Sequence, residues 1–175
     1  VTELAERLSA PVTAFRNGNG VVSSDHALRI NMPTGHRLWS DCDLLIGVGS
    51  RMQAQRMGWG VDENIKIIHI DIDPASISKM IKADVPIVGP VDSVLNEMLG
   101  ILKEIGEQPD KAAAEAWWKQ IDEWRGDGDL FPYDKGDGSI IKPQAVIEAL
   151  WEVTGGDAFI TSDVGQHQMF AAQYY

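Results

Sequence analysis

The sequence predicts an α/β fold built on a parallel sheet, and three observations carry that expectation. Residues 66–74 read Lys-Ile-Ile-His-Ile-Asp-Ile-Asp-Pro, with isoleucines at 67, 68, 70 and 72. A nearly continuous β-branched run is the pattern of a strand covered by helices on both faces. Asp43 to Gly49 is a second buried, apolar run of the same kind. Up to Ile105, strand patterns alternate with helical ones, as expected of one α/β unit.

The elements follow in order. Thr2 to Leu8 places Leu4 and Leu8 on one face of a short helix. Pro11 to Phe15 reads as a short strand, and Asn17-Gly-Asn-Gly20 as a turn. Ser23 to Arg37 is loop-like and holds His26 and His36, either metal ligands or solvated loop histidines. Asp43 to Gly49 leads into Ser50 and Arg51. Val61 to Asn64 is a polar approach to the central strand. Ala75 to Ile81 reads as a short helix that Ser76 could open, and Val85 to Val88 as a strand near an edge because of Pro86. Asp92 is expected to cap an amphipathic helix, Ser93 to Ile105, whose Val94, Leu95, Met98, Leu99 and Leu102 recur at three and four.

Beyond Gly106 the composition changes. Pro109, a helix from Asp110 bearing Trp117, Trp118, Ile121 and Trp124, then Gly126-Asp-Gly-Asp129 and Gly136-Asp-Gly138, read as a connector. Its indoles are expected to anchor the helix on neighbouring structure, since a free helix would expose them as an apolar patch. Pro143 suits the first turn of a further helix, which Gly155 and Gly156 stop. Ala158 to Ser162 reads as a strand, Asp163 to Gln168 as its exit loop, and Met169 onward as a new helix. The expected division is 1–106, a connector at 107–140, and the start of a second α/β domain at 141–175. Both ends read as cut inside secondary elements, so the expectation is a piece of a larger protein.

Composition narrows the function. The chain has 175 residues, 44% apolar and 23% charged, an ordinary globular balance. A net charge of −11 argues against a nucleic-acid backbone or an anionic membrane as partner. One cysteine, Cys42, leaves no internal disulfide framework, and a reducing cytoplasm is the default location. No run of about 18 apolar residues exists to span a membrane, and Val1 to Leu8 is not a signal peptide.

Candidate chemistry lies at strand ends, where open α/β sheets bind ligands. Gly47-Val-Gly49 lets the backbone turn sharply, so a phosphate or ribose could approach Gly49, Ser50 and Arg51. The third glycine of a dinucleotide fingerprint is missing. Asp71 stands 22 residues beyond Gly49, near the spacing at which an acidic residue holds ribose hydroxyls. Asp71 and Asp73 are either such ligand contacts or the turn and cap residues of a βα connection. Gly165-Gln-His167 precedes a helix start, a ready anion site. His167 has no carboxylate or nucleophile beside it, which favours positioning over base catalysis.

Several motifs together resemble one family. Ile141-Lys-Pro-Gln144, Thr154-Gly-Gly-Asp157, Asp163-Val-Gly-Gln-His-Gln-Met169 and Ala171-Ala-Gln173 look like the start of the diphosphate-binding domain of thiamine-diphosphate enzymes, closest to the acetolactate synthase (acetohydroxyacid synthase) catalytic subunit. Lys66 to Val94 and the tryptophan-bearing connector resemble the Rossmann-like central domain of the same family. The resemblance implies a carboligase joining two pyruvate molecules into 2-acetolactate with loss of CO2. It implies thiamine diphosphate and Mg²⁺ in the parent enzyme, with FAD an optional occupant of the central domain. Gly165, Gln166 and His167 would contact thiamine diphosphate. Gly49, Ser50, Arg51, Asp71 and Ile72 match positions along the flavin nucleotide. The glutamate that activates the thiamine ring belongs to a first domain not contained in this sequence, so no catalytic residue is expected here. Nor is the Gly-Asp-Gly plus Asn motif that holds Mg²⁺ expected here. The chain alone should be catalytically incomplete and bind none of these cofactors, and its partners would be the remaining domains, a second copy (dimer or tetramer) and a regulatory subunit. A stand-alone nucleotide-binding (FAD, ADP or NAD) module or a scaffold are the alternatives. Two departures stand out. Ile30 to Arg37 is shorter than the family's flavin loop, and Met52-Gln-Ala-Gln55 replaces an acidic stretch. The front half also looks more distant than the rear, which suggests a divergent member or two sequences joined near Lys66.

Overall fold

The computed structural model describes residues 1–60, 64–126 and 133–175. The polar approach at 61–63 and the Asp127–Asp129 part of the Gly-Asp-Gly-Asp run lie outside the described residues. In chain order the elements are α1 (Thr2–Leu8), α2 (Met32–Leu38), β1 (Leu44–Val48), α3 (Gln53–Gly58), β2 (Lys66–Asp71), β3 (Val85–Val88), α4 (Val91–Ile105), α5 (Lys111–Gly126), α6 (Pro143–Thr154) and α7 (Gln166–Tyr174). None of the described helices is long and apolar enough to cross a membrane.

The chain forms two compact units. One comprises Val1, Glu3–Leu8 and Gly35–Asp110; the other comprises Thr2, Ser9–Thr34 and Lys111–Tyr175. The first is an α/β unit whose three-stranded sheet runs β1-β2-β3, all parallel. The isoleucine-rich strand is central, as its composition requires, because only a central strand has neighbours for both backbone edges. Ile46 pairs with Ile68 and Val48 with Ile70 on one side, and Ile70 with Ile87 on the other. β3 is an edge strand, where Pro86 costs no ladder bond. β1 is the other edge, and Leu44 at its start is 43% exposed, so it is less enclosed than its sequence suggests.

Side chains alternate across β2, so each face gains its own core. Ile70, fully buried, packs with Leu4, Leu95 and Leu99, flanked by Val1, Leu8, Ile46, Val48 and Val94. Ile67 packs with Trp39, Met52, Ile65 and Ala83. Ile70 thus shares a core with residues from before Lys66. A seam at Lys66 would have to reproduce that packing by accident.

Four local expectations are corrected. The segment from Ala75 to Ile81 is a series of turns rather than a helix. There Asp73 accepts the Ala75 N–H at 2.9 Å and the Ser76 hydroxyl at 3.2 Å. Such local bonds compete with helical ones, and Ser78 at φ +57 breaks the helical path. α4 begins two residues early, at Val91, with Pro90 as its N-cap and no side-chain capping bond. Asp92 lies in the first turn, where the helix dipole favours a carboxylate, instead of capping. Met32–Leu38 is helical, not loop, because the Asn31 side chain accepts the Thr34 N–H at 2.9 Å as an N-cap does. Pro11–Phe15 reduces to one bridge between Val12 and Arg29.

In the second unit, α5 is held to the Ser9–Thr34 segment by donors at its own positions. The Trp118 indole donates to the Ser9 carbonyl at 2.8 Å, and Arg125 donates to the carbonyls of Ala27 and Arg29 at 2.9 and 2.6 Å. Ile121 is fully buried between them in sequence. α6 ends at Gly155 in the left-handed region, φ +62, the conformation glycine adopts without strain. The Thr154 and Tyr175 hydroxyls lie 2.8 Å apart, and Tyr133 and Tyr174 meet edge to face, tying α6 and α7 together. Ala158–Ser162 is not a strand. A parallel strand draws its backbone bonds from neighbouring strands, and no described strand pairs with this segment. Phe159 is fully exposed, and Ile141, Val153 and Val164 nearly so.

Candidate functional site

The five nucleotide candidates gather at the carboxyl ends of β1 and β2. Gly49 donates its N–H to the Ile70 carbonyl at 2.8 Å, extending the ladder past Val48, and then turns at φ +57. Gly89 likewise donates to the Asp71 carbonyl at 3.0 Å. The backbone bonds between the strand ends are therefore made, and the side chains beyond them face outward. Ile72 is 68% exposed, an apolar side chain beside two carboxylates at the sheet's rim.

Local hydrogen bonding uses part of this polar set. Ser50 Oγ accepts the Met52 N–H at 3.2 Å. Asp71 Oδ1 accepts the Asp73 N–H at 2.9 Å, and Asp73 does the same for Ala75. These are Asx turns, so the two aspartates serve as turn residues, with no helix after them to cap. Asp71 still has a second oxygen for a ribose-like diol, whereas Asp73 also takes the Ser76 hydroxyl. Arg51 is exposed. Met52, in the left-handed region at φ +53, turns its side chain inward beneath β1.

Gly47, unremarked beyond its turn potential, is a packing requirement. A Cβ there would sit 2.6 Å from the Met52 sulfur. The pattern Gly-x-Gly followed by a buried methionine is the only sequence signal that could have exposed it.

Gly165, Gln166 and His167 lie in the other unit, at the start of α7. Gly165 is the N-cap, and its carbonyl accepts the Gln168 N–H at 3.2 Å. The His167 ring folds back over Gly165, so a Cβ at that position would meet the ring at 2.8 Å. Gln166 and His167 are exposed, and no side chain caps the start of the nine-residue helix α7, where, among the described residues, the Gln168 N–H alone of the first turn is bonded, to Gly165. This turn can receive an anion. Asp163, which accepts the Val164 N–H at 2.7 Å, borders it with the opposite charge preference.

The two loop histidines make local contacts. His26 Nδ1 accepts the Leu28 N–H at 3.2 Å, and His36 stacks on Trp59 at 5.6 Å. Among the described residues no group of three or more His, Cys, Asp or Glu side chains could hold a metal ion.

With this geometry in hand, comparison with known families decides the affiliation. Residues 1–98 match the model described as thiamine pyrophosphate enzyme, central domain. The chain belongs to that family. It is 40% identical over 181 residues to the acetolactate synthase isozyme 3 large subunit of Escherichia coli K12, with 99% of the chain covered. It is also 40% identical over 182 residues to the acetolactate synthase large subunit of Haemophilus influenzae, again over 99% of the chain. The acetolactate synthase of Mycobacterium leprae is 36% identical over 98% of the chain. The chain spans 31% of the length of the first two relatives. Single relatives matching both sides of Lys66 favour a divergent member over a joined sequence. In this family the β1 and β2 ends belong to the central domain, within the matched 1–98, and Gly165–His167 lies beyond it.

Proposed function

We propose that this chain is the central part, and the beginning of the diphosphate-binding part, of a thiamine-diphosphate-dependent carboligase of the acetolactate synthase type. The parent reaction is condensation of two pyruvates to 2-acetolactate and CO2, a step toward branched-chain amino acids. The observation that carries the reading is the identity across both halves to proteins named acetolactate synthase. The family domain boundaries proposed are 1–106, 107–140 and 141–175. A cytoplasmic location accompanies the assignment.

The Gly165 turn fits the diphosphate end of the cofactor. A helix start suits a phosphate, and the space over its glycine is taken by the His167 ring, which stands where it could meet the anion. Bound thiamine diphosphate supplies the carbanion chemistry, and the protein's share is orientation and charge placement. His167 and Gln166 would hydrogen-bond the diphosphate and fix its position. Mg²⁺ and the activating glutamate are assigned to other parts of the parent, so this chain alone would turn over no pyruvate. Gly49, Ser50, Arg51, Asp71 and Ile72 fit a nucleotide only in part, because Ser50 Oγ and Asp71 Oδ1 already serve their own turns. FAD is proposed as an optional occupant there, with no step in the reaction.

Exposed Phe159, Ile141, Val153 and Val164 support burial by further domains or a second copy, in a dimer or tetramer. The relatives' designation as large subunits supports a separate regulatory subunit. The test is a graft. This chain replaces the matched segment of the Escherichia coli large subunit, and acetolactate formation from pyruvate is measured. Acetolactate above an empty-vector control is the expected result; a folded, assembled graft that forms none contradicts the proposal. The alternative, a stand-alone nucleotide module, rests on the free oxygen of Asp71. It would show calorimetric binding of FAD, ADP or NAD near micromolar, about −8 kcal/mol.

A further inference from the structure

Among the described residues, α7 is held by its carboxyl-terminal half. Residues 155–164, which lead into it, are exposed throughout, and Gly165, Gln166 and His167 bond to no other described element. At the far end Tyr174 is 9% exposed, and the Tyr175 hydroxyl meets that of Thr154 at 2.8 Å. The Asn19 side-chain amide donates to the Ala172 carbonyl at 3.4 Å. A nine-residue helix is about 12 Å from first residue to last. A tilt of about 5° where α7 is held therefore moves its start by roughly 1 Å.

The side chain that bears on the held end is Tyr133, in the loop before α6. Its ring meets Tyr174 edge to face, with centroids 5.6 Å apart and planes at 85°. Tyr133 is itself fixed from α6. Its phenol donates to Glu148 Oε2 at 2.7 Å, and Lys135 donates to the same oxygen at 3.3 Å. The Lys135 ammonium also lies 5.8 Å from the centre of the Tyr133 ring. An O–H donated to a carboxylate is among the strong hydrogen bonds, and an edge-to-face pair prefers one orientation over simple contact. Burial, then Glu148, pushes the phenol up to about 12, so it remains a donor at neutral pH.

We propose that Tyr133, locked by Glu148, is a positioning residue for cofactor binding: through Tyr174 it sets the tilt of α7, and so the place of the Gly165–His167 turn. This assignment rests on the diphosphate role proposed for that turn. Tyr133 and Glu148 act from the other end of the helix, so neither is a catalytic residue. A brace that only stabilised the fold would leave the turn in place in any variant that still folds.

The test has two arms. In the whole 175-residue chain labelled with 15N, the backbone amide signals of Gly165 to Gln168 are compared among variants. Tyr133→Phe keeps the ring and loses the hydrogen bond. Glu148→Ala removes the same bond from α6, and serves if Tyr133→Phe does not fold. Glu148→Gln retains a carbonyl acceptor for the phenol. The first two variants are expected to shift these signals, and Glu148→Gln to leave them near their original positions. In the graft into the Escherichia coli large subunit, Tyr133→Phe should raise the Michaelis constant for thiamine diphosphate about fivefold. There kcat at saturating cofactor should stay within about a factor of two, and Glu148→Gln should keep the constant of the unsubstituted graft. Unmoved signals in folded Tyr133→Phe or Glu148→Ala chains would overturn the proposal. So would a lower kcat with an unaltered constant, or an unaltered constant in a graft whose constant does respond to loss of Gln166 and His167. A constant indifferent to Gln166 and His167 would overturn the diphosphate reading, and the proposal with it.

Discussion

Replacing Gly47 with alanine tests the packing at the end of β1. The new Cβ would stand 2.6 Å from the Met52 sulfur and 2.9 Å from its terminal carbon, well inside the roughly 3.5–4 Å at which such atoms attract. Met52 cannot simply swing away. It is 4% exposed, and Trp39, Ile65 and Ile67 close around it. Overpacking of this kind costs about 1–3 kcal/mol. Since about 1 kcal/mol moves the melting temperature of a chain this size by roughly 2–4 °C, Gly47→Ala should melt about 2–12 °C lower. Met52→Ala removes a buried side chain and should cost about 2–5 kcal/mol. In the double variant the clash is gone, so its stability should match that of Met52→Ala within about 0.5 kcal/mol. Urea unfolding followed by far-ultraviolet circular dichroism gives all three values. A neutral Gly47→Ala, or two costs that simply add, would refute the reasoning.

Three further outcomes follow from other parts of the chain. Asp84 is held below the usual carboxylate range, first by the Ile67 N–H at 2.9 Å and then by Lys66 at 3.6 Å. Its contribution is therefore complete above its unfolded value, about 4, and fades as pH falls through the lower folded value. Asp84→Asn should flatten the loss of urea midpoint below about pH 4, and an unchanged acid profile would contradict the pairing. Burial and the hydrogen bond to Glu148 push the Tyr133 hydroxyl up to about 12. Stability from this group is present below about pH 10 and declines as the pH climbs toward the folded value. A tyrosinate absorbance titration should show a late step that Tyr133→Phe abolishes. Gly106 ends α4 in the left-handed region at φ +74. Gly106→Ala should cost about 1 kcal/mol in the urea midpoint, and a stabilised variant would refute the strain.

The central strand was legible because four isoleucines in seven positions leave few alternatives to enclosure, and Ile70 is indeed fully buried. Pro86 marked an edge for the same kind of reason, since a missing N–H is tolerated there. Each misread segment has its own cause. Asp73 and Ser76 read equally well as a helix start or as a turn, and only Ser78 in its left-handed conformation decides between them. Met32–Leu38 holds a proline and a glycine within seven residues, which hid a helix that the Asn31 cap secures. Ala158–Ser162 carries a strand pattern, but a strand also needs a neighbour. Of the candidate site, residue types and spacing placed Gly49, Ser50, Arg51, Asp71 and Ile72 at strand ends, and that is where they lie. Types and spacing could not reveal that Ser50 and Asp71 spend hydrogen bonds on their own turns, because that depends on backbone angles.

Whether the turn at the start of α7 faces the cofactor's diphosphate is tested most directly by cofactor affinity. In the grafted enzyme, the Michaelis constant for thiamine diphosphate is measured with and without Gln166→Ala and His167→Ala together. Losing hydrogen bonds to a charged group costs about 1.5–3 kcal/mol, so that constant should rise roughly tenfold or more, while kcat at saturating cofactor stays within about a factor of two. An unaltered constant for thiamine diphosphate in a graft that forms acetolactate would contradict the assignment.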